Sequence, residues 1–121
     1  MKLLITAVLL NALSFGADVA GVWRGTFAPE RPDGTFDEKP AYLLVKQEGV
    51  TLTGRIGPSE EKNYEFTKGV IDGDTVTFEL FADEMKMKVS MKLKDGKLDG
   101  VVNAEKDSGE KLRVVVKFSK S

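Results

Sequence analysis

The sequence predicts an all-β fold, in which eight short antiparallel strands follow one another in meander order and close into an up-and-down barrel. Three observations point there. Apolar and polar residues alternate through eight runs, near residues 21–28, 41–47, 50–57, 64–71, 75–81, 85–94, 97–105 and 111–119, and no stretch carries a helical period. Glu48-Gly49, Asp72-Gly73-Asp74 and Asp95-Gly96 supply tight hairpin turns between consecutive runs. Each run has one apolar face, and closing the sheet buries all of these faces while leaving no exposed edge. A two-sheet β-sandwich of the same strands is the alternative.

Composition narrows the function. The 121 residues suffice for one core, and 18 Lys plus Arg against 19 Asp plus Glu give a net charge of -1. A phosphate-backbone binder is basic, so nucleic acid is not an expected partner. Cys and His are both absent, which removes disulfides, thiolate and imidazole metal sites, and every nucleophile or base built on those side chains.

Residues 1–16 read as a secretory signal peptide, leaving residues 17–121 as a single barrel domain. Lys2 supplies the basic start, and Leu3 to Leu13 form an apolar run broken only by Thr6 and Asn11. Ser14 and Gly16 are the small residues of a cleavage site, with cleavage after Ala17 as the alternative. An apolar run of about eleven residues is too short to cross a bilayer. The expected mature form is therefore secreted or periplasmic, without a membrane span. Lacking disulfides, it must be held by core packing alone.

Strand parity sets the inner wall. The first run turns Trp23, Gly25 and Phe27 inward. Glu48-Gly49 as a two-residue turn sets Val45 opposite Leu52 and Leu43 opposite Gly54, and Ile56 follows on the same face. In the fourth run Phe66 and Val70 point inward. Lys68 shares their parity, and a bulge at Gly69 would turn it outward. The Asp72-Gly73-Asp74 connection lets Val70 face Val76 and Phe66 face Leu80, with Phe78 between. The clearest run has Met85, Met87, Val89, Met91 and Leu93 alternating with Lys86, Lys88, Ser90, Lys92 and Lys94. A helical step of 100° would scatter those lysines around the cylinder, whereas a strand puts them all on one face. Asp95-Gly96 then pairs Leu93 with Leu98, Met91 with Gly100, Val89 with Val102 and Met87 with Ala104. The last run contributes Leu112, Val114, Val116 and Phe118. Inward Gly25, Gly54 and Gly100 let strands bend.

Loop lengths distinguish the two ends. The tight turns follow the second, fourth and sixth strands and lie at one end, which is closed. Residues 28–40, 58–63, 82–84 and 106–110 connect strands at the other end, the mouth, where the first of these is long enough for a lid. These four loops hold ten acids against four bases, a net of -6, while the rest of residues 17–121 carries thirteen bases and nine acids. The barrel is thus expected to be polarised along its axis, with Glu60, Glu61, Asp83 and Glu84 in an acidic mouth.

Gly21-Val22-Trp23 resembles the Gly-x-Trp opening of lipocalins and of avidin-like barrels. Gly25, Gln47-Glu48-Gly49 leading into Leu52-Thr53-Gly54, Gly69-Val70-Ile71-Asp72-Gly73-Asp74 and Leu98-Asp99-Gly100 extend the likeness over most of residues 17–121. Together they look like a group of small secreted bacterial lipocalin-like or avidin-like eight-stranded barrels of unassigned function. The resemblance implies that Trp23 plugs the closed end. It departs from lipocalins proper in having no Thr-Asp-Tyr loop, C-terminal helix or Arg against the Trp; only Lys117 and Lys120 are available for a cation–π contact. A single Trp leaves biotin binding unsupported.

The expected function is binding of a small apolar or amphipathic molecule in the lumen, by Phe27, Phe66, Phe78, Met87, Met91 and Val114. The alternative is a solid barrel acting as an interaction or inhibitor module, whose acidic loops meet a basic protein surface. Adjacent acids such as Glu60-Glu61 and Asp83-Glu84 lack the spaced oxygen ligands of a calcium site and the setting of an acid/base pair. No catalytic residue, metal site or cofactor is expected, and the protein is not expected to be an enzyme.

Overall fold

Alternation at period two produces sheet throughout. A computed structural model describes residues 17–31, 33–35 and 37–121, so the expected leader at 1–16 lies outside the described residues. The strands are β1 (Gly21–Pro29), β2 (Lys39–Glu48), β3 (Thr51–Gly57), β4 (Tyr64–Glu65), β5 (Thr67–Asp72), β6 (Thr75–Ala82), β7 (Met85–Lys94), β8 (Lys97–Lys106) and β9 (Lys111–Lys120). Consecutive strands pair antiparallel, β3 with β4 and β5 in turn, and β1 pairs with both β2 and β9. The sheet therefore closes on itself. Because β4 and β5 share one position in the wall, nine segments make an eight-stranded up-and-down barrel. Among the described residues no helix is long and apolar enough to cross a membrane.

The β7–β8 hairpin has the expected register: Leu93 faces Leu98, Met91 faces Gly100, Val89 faces Val102 and Met87 faces Ala104. Asp95 and Gly96 both adopt positive φ, 53° and 76°, as a two-residue turn matching the strand twist requires. Two other hairpins differ from expectation. In β2–β3, Glu48 pairs with Thr51, so the turn is Gly49-Val50, Val45 faces Gly54, and Leu43 faces Ile56. Only Gly49 takes a positive φ there, 65°, and centring the turn on it slides the register by two residues while preserving which side chains point inward. In β5–β6, Asp72 pairs with Thr75 across a two-residue Gly73-Asp74 turn, Val70 faces Thr77, and Ile71 faces Val76.

This last change reverses one side chain. Lys68 has φ 57°, and the register shifts between Thr67 and Val70. The bulge sits one residue before the expected Gly69 and sends Lys68 outward to Glu79. It also exchanges the faces of Val70 and Ile71. Val70 is 43% exposed on the outer wall, and Ile71, at 1%, takes its expected place in the core. A side chain at Gly25 or Gly54 would collide with the backbone carbonyls of Lys117 or Leu44, so these glycines permit close strand approach.

Trp23 is 1% exposed near the start of β1, at the end with the tight turns. Its Nε1 donates to the Val19 carbonyl at 2.9 Å, and Lys120 Nζ lies 5.7 Å from the ring centroid. Gln47 clamps residues 17–20 beneath it. Its Oε1 accepts from Val19 N at 2.7 Å, and its Nε2 donates to the carbonyls of Ala17 and Gly49, each at 3.0 Å. Val19 is fully buried, so the chain entering β1 becomes part of the closed end.

Candidate functional site

The inward side chains behave differently along the barrel axis. In the closed half they interlock: Phe66 stacks on Phe78 with centroids 3.9 Å apart, and Leu43, Leu52, Met91 and Leu98 are essentially inaccessible. Nearer the mouth, Phe27, Met85, Met87, Leu112 and Val114 point inward yet remain only half-buried. They surround an open-ended cavity of about 270 Å³. Ile56, Leu80, Val102 and Phe118 complete its hydrocarbon wall, and Lys62, Tyr64 and Asp83 contribute the polar groups. The Tyr64 hydroxyl donates to Asp83 Oδ1 at 3.4 Å.

Of the six lumen residues expected to meet a ligand, Phe27, Met87 and Val114 line this cavity. Phe66, Phe78 and Met91 do not; they belong to the packed half. Parity identifies which residues face inward but not their height along the axis. Distance to the long loops orders the inward residues by height and puts Met85, Leu112 and Tyr64 nearer the mouth than Met91 and Phe78, but it does not say where along the axis packing stops. Trp23 is buried away from the cavity.

The loops at the mouth bend outward. Glu60 Oε1 meets Arg24 Nη2 at 2.9 Å, and the Arg24 guanidinium lies 5.3 Å from the ring of Tyr42, which is buried although strand parity turns it to the outer wall. Asn63 fastens the same loop by accepting from Arg55 Nε and donating to the Ser59 and Glu60 carbonyls. Glu38 accepts from Thr26 Oγ1 at 3.3 Å, and Glu30 pairs with Arg113 at 3.7 Å. Within residues 30–38, Arg31 pairs with Asp37 at 2.9 Å. Asp33 accepts from both Thr35 Oγ1 and Thr35 N, which holds its carboxyl below the usual carboxylate range.

Charge at the mouth is consequently more balanced than loop composition implies. Arg24 and Arg113, both on the wall, pair with loop acids, and Lys106 pairs with Glu110 at 3.4 Å. Glu61, Asp83 and Glu84 are exposed and make no ion pair among the described residues. Asp83 and Glu84 form the β6–β7 turn with φ of 53° and 61°. Of the four acids assigned to the mouth, only Asp83 borders the cavity, and Lys62 borders it as well. Among the described residues no group of three or more acids could hold a metal ion.

Fold and cavity together define an eight-stranded antiparallel barrel with a solid closed half and a hollow open half. Among solved structures, a protein of unknown function from the DUF3598 family of Nostoc punctiforme PCC 73102 is similar, with a TM-score of 0.50 and 18% identity. The alignment covers 85% of this chain and 47% of that one, so this chain spans about half of its length. At such identity the likeness is one of fold. A variant of the fluorescent protein UnaG aligns over 85% of this chain and 96% of its own, with a TM-score of 0.45 and 16% identity. No family model matches the chain, and no curated protein matches it.

Proposed function

We propose that this protein is an exported, non-catalytic carrier of the small secreted lipocalin-like type, which takes up a compact apolar or amphipathic molecule tail-first through the mouth. One observation carries the reading: a hydrocarbon-lined cavity of about 270 Å³ occupies the open half of the lumen. Small-molecule pockets run from roughly 300 to 1,000 Å³, so the volume suits a ligand at the small end of that range. The unfilled lumen favours a carrier over a solid scaffold that binds proteins through its acidic loops.

The wall also orients the ligand. Burying a polar group without a partner is unfavourable, and the deep wall consists of Val89, Val102, Val116 and Phe118, so a head group belongs at the rim. There it meets Lys62, Tyr64 and Asp83, a balanced pair of charges and a hydroxyl. A neutral head able to hydrogen-bond fits this rim better than a carboxylate, which the exposed Glu61, Asp83 and Glu84 repel.

Displacement of a bound neutral fluorescent probe by a primary alcohol and by the carboxylic acid of equal chain length tests both parts. The alcohol should compete better at low salt, with the gap narrowing as salt rises. Val114→Trp, which fills the cavity, should abolish probe binding while the circular dichroism spectrum stays that of the native barrel. Failure of a well-folded wild type to bind any apolar probe would end the carrier reading.

A further inference from the structure

We propose that the outer wall formed by β7, β8 and β9 is a docking face for an anionic lipid bilayer. Strand alternation turns Lys86, Lys88, Lys92 and Lys94 outward along β7, and β8 and β9 add Lys97 and Lys111 beside them. Arg113 and Lys117 extend the field across β9. Of these eight bases Arg113 pairs with Glu30, and against the rest the outward positions of the three strands offer two acids, Asp99 and Glu105, with Glu79 of β6 facing Lys88. Four exposed lysines on one strand, with no ion pair to any of them among the described residues, form a directed positive field on a chain whose net charge is -1.

The shape of this field selects its occupant. It runs the length of the wall, from Lys86 and Lys111 near the mouth to Lys94 and Lys97 at the closed end, so a flat charged surface meets it with the barrel lying on its side. Lys86, Lys88 and Lys111 border a groove of about 320 Å³ over Asn103 and Glu105, three cations against one carboxylate. Directly across from Lys86, at the mouth end of β6, stands Phe81, which is 64% exposed. The ring has Lys86 across from it, Lys88 on the diagonal and Glu79 two residues before it on the same face, and an aromatic ring beside lysines is an amphipathic pairing that inserts at a lipid interface. Val101 and Val115 face each other between the lysine rows, and among the described residues of this face no set of exposed aromatics offers stacking for bases, so a bilayer fits it better than a nucleic acid.

This face is separate from the cavity, and its test can be read independently. Full-length protein is sedimented with phosphatidylcholine vesicles and with vesicles containing phosphatidylglycerol, alongside two paired variants of the same length. Lys88→Gln with Lys92→Gln changes the proposed face, and Lys46→Gln with Lys68→Gln changes the opposite wall. Residues 1–16 are common to all three proteins, so differences between them report the wall. Binding should require phosphatidylglycerol and fall with salt. The first pair should weaken it roughly tenfold or more, and the second should leave it unchanged. Phe81→Ser should reduce the binding that survives at high salt, with neutral-probe uptake by the cavity retained in every variant. Equal binding to both vesicle types, or equal loss in both lysine pairs, would overturn the proposal. So would a short DNA duplex that displaces the protein from vesicles at equal phosphate concentration, since the face would then belong to nucleic acid.

Discussion

At the closed end Trp23, Leu43, Leu52 and Met91 are no more than 2% exposed, whereas Phe27, Met87 and Val114, pointing inward toward the mouth, remain half-buried. The side chains in the two halves are of the same kind. What differs is what the rest of the chain does at each end. Below, residues 17–20 fold under the barrel, and Gln47 holds them so that Val19 and Trp23 seal it. Above, the connecting loops are fastened to the outer wall through Arg24, Thr26 and Arg113, and none of these contacts draws a side chain into the lumen. Eight strands enclose a space that side chains can either fill or leave for a ligand, and here each outcome occupies one half.

The widest gap between the halves should appear in stability. Trp23→Ala should lower the unfolding free energy by about 3–5 kcal/mol, because it empties a packed site and strips the Val19 carbonyl of its partner. Urea denaturation measures this; a midpoint close to that of the wild type would mean that the closed end is not solid. A matched pair sharpens the contrast within one strand. Met91→Ala should cost about 2–5 kcal/mol, as for other buried methionines, and Met87→Ala about 1 kcal/mol or less, since its side chain already borders empty space. Equal losses would erase the distinction between the halves.

Gln47→Ala probes the seal with a smaller effect. Losing the contacts to Val19 N and the Ala17 carbonyl should cost about 1–2 kcal/mol. Hydrogen exchange at the Val19 amide should rise, while exchange in β7 should follow only the global change. Unchanged protection at Val19 would show that residues 17–20 are held by Trp23 alone.

Much of the barrel was legible because strand parity is a local property. Lysines alternating with Met85, Met87 and Met91 define both faces of β7, and Asp95-Gly96 specifies a turn geometry that determines its partner. Register was less secure at Gly49. One glycine can stand at either central position of a two-residue turn, and parity does not distinguish registers two residues apart. The exchange of Val70 and Ile71 followed from a left-handed conformation at Lys68, a residue type that gives no local signal for it.

The cavity was legible in kind but not in place. Inward parity assigned Phe66, Phe78 and Met91 to the lumen together with Phe27, Met87 and Val114, and the height at which packing stops depends on long-range fit among strands distant in sequence. The acidic rim was overstated for a similar reason. Counting charges by loop cannot reveal that Glu60 and Glu30 reach bases on the wall. Gln47 stands in the Gln47-Glu48-Gly49 motif, but nothing local to that motif shows that its side chain reaches Ala17 and Val19 to clamp the closed end.

Methionine methyl resonances observe both halves in a single experiment. With methyl-labelled methionine in the full chain, titration of a neutral apolar compound such as a medium-chain alcohol should shift Met85 and Met87 saturably, with one affinity, and leave Met91 in place. Met85 and Met87 border the cavity, and Met91 lies in the packed half. Equal movement of all three would indicate that the ligand loosens the whole core, and no movement at Met85 and Met87 while the barrel remains folded would contradict a hollow, ligand-binding open half.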